Sequence, residues 1–261
     1  MLRTRIITAV ISLLVLGVVL FVLPPDAVQI VIGLLILAGA WEWSGFLELK
    51  STSFRLLYVV LVSALLALLV FALSNETALI LQIACVWWFI AFVWTFFFPT
   101  PIPIAVRWIC GLLVLIPLFV ALLVLYRLDA QLLLFALLIV WAADMGAYFA
   151  GKQFGRVKLA PSISPGKTWE GVFGGLLLVA VLSVAWGRIN DLPLAVLVPF
   201  CLAVAALSVV GDLTVSMFKR TAGVKDSGKL FPGHGGVLDR VDSVAAASPL
   251  FALGVNWLGL V

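Results

Sequence analysis

Apolar residues in this chain come in long unbroken runs separated by short polar gaps. They show neither the two-residue alternation of a half-buried strand nor the narrow apolar stripe of a surface helix. The runs cover residues 6–23, 27–47, 54–73, 77–97, 105–126, 130–150, 172–186, 192–210 and 243–261. A helix needs about 20 apolar residues to cross ~30 Å of hydrocarbon. The pattern therefore predicts an all-α polytopic membrane protein of about nine transmembrane helices. The first run resembles a secretory leader in following Arg3 and Arg5. It exceeds the roughly 7 to 15 residues of a leader's apolar core and ends in Pro24-Pro25-Asp26 with no small-x-small site, so it is read as an uncleaved span.

Composition agrees: 65% of the 261 residues are apolar and only 11% charged, and the mean hydropathy is +1.28. Those values exclude an ordinary globular surface. The net charge of +4 suits cytoplasmic loops and anionic lipid heads, and no nucleic-acid partner is expected. With nine spans and a cytoplasmic N-terminus, only Arg127 and Arg188 of the 16 basic residues fall outside. This positive-inside bias places the C-terminus outside. Cys85, Cys110 and Cys201 sit in separate apolar runs with no C-x-x-C spacing and are read as packing residues. Residues 1–128 form about five spans. Residues 129–261 hold four more and two longer cytoplasmic segments, 151–171 and 211–242.

Chemistry concentrates where the hydrophobic pattern breaks. Five basic residues (Lys219, Arg220, Lys225, Lys229, Arg240), three acids (Asp226, Asp239, Asp242) and the only histidine, His234, fall within residues 216–242. Asp144 and Asp212 lie near the cytoplasmic ends of the sixth and eighth spans. A charge at depth costs ~2.5–3.5 kcal/mol on insertion scales, so such acids are usually turned inward and paired or metal-bound. Asp239 and Asp242 share a face if the last helix starts by Leu238. Four carboxylates approaching from one membrane side, with no Cys/His cluster, point to Mg²⁺, Mn²⁺ or Ca²⁺. The alternative is that Asp239 and Asp242 favour the helix N-terminus and pair with Arg240.

Pro232-Gly233-His234-Gly235-Gly236 reads either as a flexible turn or as a loop whose backbone N–H groups approach a phosphate. His234 has three readings there: phosphate contact, proton shuttle or loop cap. Gly166-Lys167-Thr168 resembles the end of a P-loop, but position 161 is Pro and no strand is predicted before it, so that reading is rejected. Lys167 remains a phosphate-contact candidate, and Ser164 or Thr168 is a candidate cap for the seventh helix with Glu170 in its first turn. Glu42, an acid between Trp41 and Trp43, is either interfacial or functional.

Taken together, Ser216-x-x-Lys219-Arg220, Lys225-Asp226-x-Gly228 and Pro232-Gly233-His234-Gly235-Gly236-Val237-x-Asp239-Arg240-Val241-Asp242 resemble the signature of phosphatidate cytidylyltransferases, the CDP-diacylglycerol synthases. The likeness extends upstream to Asp144 and the Ser-Pro-Gly-Lys-Thr-Trp-Glu segment, covering roughly the C-terminal half. It implies formation of CDP-diacylglycerol and pyrophosphate from CTP and phosphatidate with Mg²⁺, a second cation being allowed. The lipid phosphate would attack the α-phosphorus of CTP. On that reading Asp144, Asp212, Asp239 and Asp242 hold metal. Lys219, Arg220, Lys225, Arg240 and His234 act with them in catalysis, and Ser164, Lys167, Thr168, Glu170, Ser216, Asp226, Gly233, Gly235 and Gly236 bind substrate. The expected setting is a bacterial inner membrane, with phosphatidate in the inner leaflet and the site facing the cytoplasm. A homodimer is compatible with the sequence, though no residue argues for one. The rival classes are a transporter or channel, which would place acids at the midplane on paired repeats, and another CTP-using membrane transferase.

Overall fold

A computed structural model describes residues 2–49, 51–72, 74–228, 230 and 235–260, with side chains in the first helix described from Val10 onward. The chain is an all-α bundle with one small hairpin. In order it forms α1 (Leu2–Phe21), α2 (Pro25–Trp43), α3 (Thr52–Phe71), α4 (Thr77–Thr95), α5 (Ile104–Leu128), α6 (Ala130–Phe154), β1 (Lys158–Ala160), β2 (Ser164–Thr168), α7 (Trp169–Ile189), α8 (Leu194–Thr221) and α9 (Leu238–Trp257). Each predicted run finds a helix. Seven of the described helices, α2 through α8, are long and apolar enough to cross a membrane.

Helix starts follow local chemistry. The first N–H groups of a helix lack an intrahelical acceptor, and in a membrane that deficit cannot be left to water. Asp129 accepts from the Gln131 N–H at 2.7 Å to start α6. Thr168 Oγ1 accepts from the Gly171 N–H at 3.1 Å to start α7. Pro25 opens α2, where its missing N–H removes one of the unsatisfied donors.

Three differences from the predicted boundaries shape the site. Helix α8 continues past residue 210 to Thr221, carrying Asp212, Ser216, Lys219 and Arg220 on helix instead of loop. Its last three turns face protein, so buried Leu213, Val215, Met217 and Phe218 keep them ordered where overall hydropathy falls. Residues 158–168, predicted as irregular, form an antiparallel hairpin pairing Lys158 with Thr168 and Ala160 with Ser164. Buried Ile163 at its turn packs on Leu213 and Met217 of α8 and pins it down.

The third difference concerns α9. It is not among the helices apolar enough to span by composition, yet it is the most enclosed. Ser243 through Val255 are buried apart from Leu250, chiefly against α8, α5 and α4. A helix surrounded by protein needs small residues for close approach more than lipid-soluble ones, which explains Ala245-Ala246-Ala247-Ser248. The tightest contact is with Gly211 of α8. A Cβ there would collide with the Asp242 carbonyl oxygen and with the Ala246 side chain. This glycine brings Asp212 beside Asp242. Helices α6 and α7 meet in the same way, Gly146 and Ala143 lying against Gly174 and Gly175.

Candidate active site

A cavity of about 610 Å³ opens between the ends of α6, α8 and α9, roofed by the hairpin and the segment following α8. Its described lining includes six basic residues, Lys152, Lys167, Lys219, Arg220, Lys225 and Arg240, and five acids, Asp144, Asp212, Asp226, Asp239 and Asp242. Charge at this density inside a bundle is held by mutual pairing.

Two ion-pair groups organise it. Lys167, presented by β2, places Nζ 2.6 Å from Asp212 Oδ2, while Ser216, one turn along α8, donates to Asp212 Oδ1 at 3.1 Å. The hairpin holds Lys167 there because Ile163 is buried and the Arg220 Nε–H donates to the Ile163 carbonyl at 3.1 Å. In the second group, Lys219 Nζ lies 2.8 Å from Asp239 Oδ1 and 3.8 Å from Asp242 Oδ2. The two α9 carboxylates do share a face, as their three-residue spacing required. Asp144 is exposed to the same cavity.

Asp239 and Asp242 differ in what surrounds them. Asp239 Oδ2 accepts from the Ser227 and Gly236 N–H groups, both at 2.9 Å, and lies 2.9 Å from Ser227 Oγ. With Lys219 on Oδ1, both of its oxygens are engaged in holding the chain that leads into α9. Gly235, at φ +83°, has no room for a Cβ against Asp239 Oδ2. Asp242 is buried, accepts from the Ser243 N–H at 2.8 Å, and directs Oδ2 towards Lys219.

Glu42, left by the sequence between an interfacial and a functional role, acts on the start of α9. From the end of α2 its Oε1 accepts the Val237 N–H and its Oε2 the Leu238 N–H, each at 2.9 Å, and Ser227 Oγ lies 2.8 Å from Oε2. A carboxylate 195 positions upstream thus caps the positive N-terminus of α9. Its only signal was an acid between tryptophans in an apolar run. Lys152 was also missed as a lining residue; its ammonium lies 5.8 Å from the Tyr148 ring centroid.

The other candidates divide. Thr168, Lys225 and Asp226 line the cavity, with Thr168 also spent as the α7 cap. Ser164 lies in the hairpin ladder, and Glu170 accepts the Val157 N–H at 3.1 and 3.2 Å, closing the hairpin's base instead of lining the cavity. Gly236 is buried beside Glu42. Gly233 and His234 lie outside the described residues, as do Pro232 and Lys229.

The family model for the cytidylyltransferase family matches residues 3–258. The chain belongs to the cytidylyltransferase family. Relatives carrying the name phosphatidate cytidylyltransferase include a Pseudomonas aeruginosa protein, 41% identical over 97% of this chain and 96% of that protein. A Haemophilus influenzae protein of the same name is 36% identical over 97% of this chain and 98% of its own length. A Brucella suis protein so named is 46% identical over 46% of this chain and 45% of that protein. Membership of the cytidylyltransferase family extends through the first five helices, where no residue motif had pointed to it.

A divalent cation, which the family resemblance implies, finds oxygen-only donors of the right hard type in this cavity. Among the described residues, however, no three or more Asp, Glu, His or Cys side chains converge as a metal-holding group. The place beside Asp212 is taken by the Lys167 ammonium, and that between Asp239 and Asp242 by Lys219. The donors fit in kind, provided the lysines can move to another anion.

Proposed function

We infer that this chain catalyses the reaction named in its relatives, transfer of a cytidylyl group from CTP to phosphatidate, yielding CDP-diacylglycerol and pyrophosphate. The observation that carries the reading is the pair of lysine–carboxylate groups, Lys167–Asp212 and Lys219–Asp239/Asp242, inside one cavity at the ends of membrane helices. A phosphate oxygen is a better partner for an ammonium than a buried carboxylate that can itself hold a cation. With CTP bound, the lysines would pass from carboxylates to phosphates, and Asp212, Asp242 and Asp144 would be the residues to hold a divalent cation. Asp239, fully engaged in the turn before α9, serves more as organiser than as ligand.

An ionised phosphatidate oxygen forms the new bond to the α-phosphorus while the bond from that phosphorus to the bridging oxygen breaks. The electron pair leaves with pyrophosphate, and no covalent enzyme intermediate or proton transfer is needed. Lys219, Arg220, Lys225 and Arg240 hold the phosphates in line, and Lys167 and Lys152 add positive charge. When bound, the metal neutralises charge on the phosphates as the leaving group departs. The rest of the reading is a nine-span inner-membrane protein with cytoplasmic N-terminus and outward C-terminus. In it α1–α5 serve as scaffold and α6–α9 as the catalytic part, with a homodimer allowed. The basic residues on the cavity side support that orientation.

Purified protein given labelled CTP and phosphatidate should release pyrophosphate only when phosphatidate and a divalent cation are both present. EDTA should stop release and excess Mg²⁺ restore it. Release without lipid, or a chelator-insensitive rate, would overturn the reaction or the metal respectively.

A further inference from the structure

Ser227 sits between two carboxylates from distant parts of the chain. Its Oγ lies 2.8 Å from Glu42 Oε2 and 2.9 Å from Asp239 Oδ2, and its N–H donates to the same Asp239 oxygen at 2.9 Å. A serine hydroxyl carries one hydrogen, so it donates to one carboxylate at a time. Whatever shifts one of the two acids therefore changes what the other receives. The backbone on either side is held as closely: a Cβ on Gly228 or Gly236 would collide with the Glu42 carboxylate.

These contacts run on in both directions. Glu42 holds the Val237 and Leu238 N–H groups at the start of α9, and Asp239 Oδ1 holds the Lys219 ammonium at 2.8 Å. A continuous path thus leads from Glu42 on α2 through Ser227 and Asp239 to Lys219 in the charged cavity. Lys225 and Asp226 line that cavity, but Ser227 is not among its described lining residues. It faces a separate space of about 520 Å³ shared with Trp41, Glu42 and Arg55.

We propose that Ser227 is a positioning residue for the cytidylyl transfer: its hydroxyl ties the placement of Lys219 to Glu42 on α2. The inference rests on the reaction proposed above, in which Lys219 passes to a phosphate. Ser227 itself touches no substrate, because both of its donors are spent on Glu42 and Asp239 and its side chain lines the other space. What it supplies is the geometry in which the Lys219 ammonium meets developing charge, and a displaced charge there costs turnover before it costs binding. The relay also assigns a catalytic consequence to α2, a helix that brings no residue of its own to the described lining of the charged cavity.

Ser227→Ala should lower kcat about tenfold while KM for CTP and for phosphatidate stays within about twofold of wild type. Ser227→Thr keeps the hydroxyl and turns its methyl towards the open space, so it should restore kcat to within about twofold. Combined with Glu42→Gln, Ser227→Ala should cost about tenfold in all, not about a hundredfold, because the two residues act along one path. Losses that multiply, an unchanged kcat, a threonine variant as slow as alanine, or a raised KM at unchanged kcat would each overturn the relay. Hydrogen exchange on the unaltered protein covers variants that fail to fold. The Ser227 and Gly236 N–H groups should exchange at least about tenfold more slowly than those of the neighbouring exposed Lys225 and Asp226. Equal rates would refute the contacts on which the relay depends. Wild-type protein that fails to join CTP to phosphatidate would sink the reaction itself, an outcome separate from the exchange pattern.

Discussion

Buried charge in this protein is handled in two ways. At the junction of α2 and α5, Arg107 is buried and donates Nε–H to the Ile102 carbonyl and Nη1–H to the Phe46 carbonyl, each at 2.9 Å, with Glu48 Oε1 at 2.7 Å. Trp43 Nε1–H closes the arrangement on the Arg107 carbonyl at 2.9 Å. Two of its three acceptors are backbone carbonyls, fixed and neutral, so an anion that displaced Glu48 would still not release Arg107. In the charged cavity, Lys167 and Lys219 are paired with aspartate side chains, which on the proposed reading would exchange an ammonium for a cation. The number of polar contacts matters less than whether the partner can be exchanged. Arg107 locks helices together; on the proposed reading, the cavity lysines hold places for a ligand.

Breaking the exchangeable side should have the largest effect. Asp212→Asn removes a charge from the centre of the cavity and leaves Lys167 without an anion. Turnover at saturating CTP and phosphatidate should fall about a thousandfold while the protein elutes as folded material in detergent. A loss of less than about tenfold would mean that the pairing is structural. Lys219→Met should cost about a hundredfold in kcat/KM, expressed at limiting substrate; unchanged kinetics there would remove it from the phosphate clamp. Glu42→Gln keeps the shape but loses the charge capping α9. We expect about a tenfold fall in kcat, little change in KM, and faster tryptic cleavage at Lys225 as the segment before α9 loosens. Full activity with normal protease resistance would show the cap to be dispensable. Arg107→Met should act least on chemistry: turnover per folded molecule stays within about twofold, but stability drops by about 2–4 kcal/mol as buried carbonyls lose their donor. A specific kinetic defect there would erase the distinction between the two regions.

Much of this was legible in the chain because a charge in an apolar run is a strong signal. Asp144, Asp212, Lys219, Asp239, Arg240 and Asp242 stood out for that reason, and all six line one cavity. What stayed hidden depends on contacts between distant segments. The hairpin shows no alternating pattern in Ser164-Pro165-Gly166-Lys167-Thr168; it is held by Ile163 against α8 and by Arg220. The end of α8 could not be placed because hydropathy drops after Gly211 while protein burial continues. Glu42 announced itself as odd, but nothing local could reveal that its partners are the amides of Val237 and Leu238.

The low apolarity of α9 also bears on how the protein is made. A segment bearing Asp239, Arg240 and Asp242 in its first turns, followed by small and hydroxylated residues, gains little by leaving the insertion machinery for lipid alone. Its favourable destination is the slot already formed by α4, α5 and α8. Because that segment brings two of the cavity's carboxylates, the cavity is completed only when the slot is filled. The cavity's carboxylates therefore come together only once α9 is packed against the rest of the bundle.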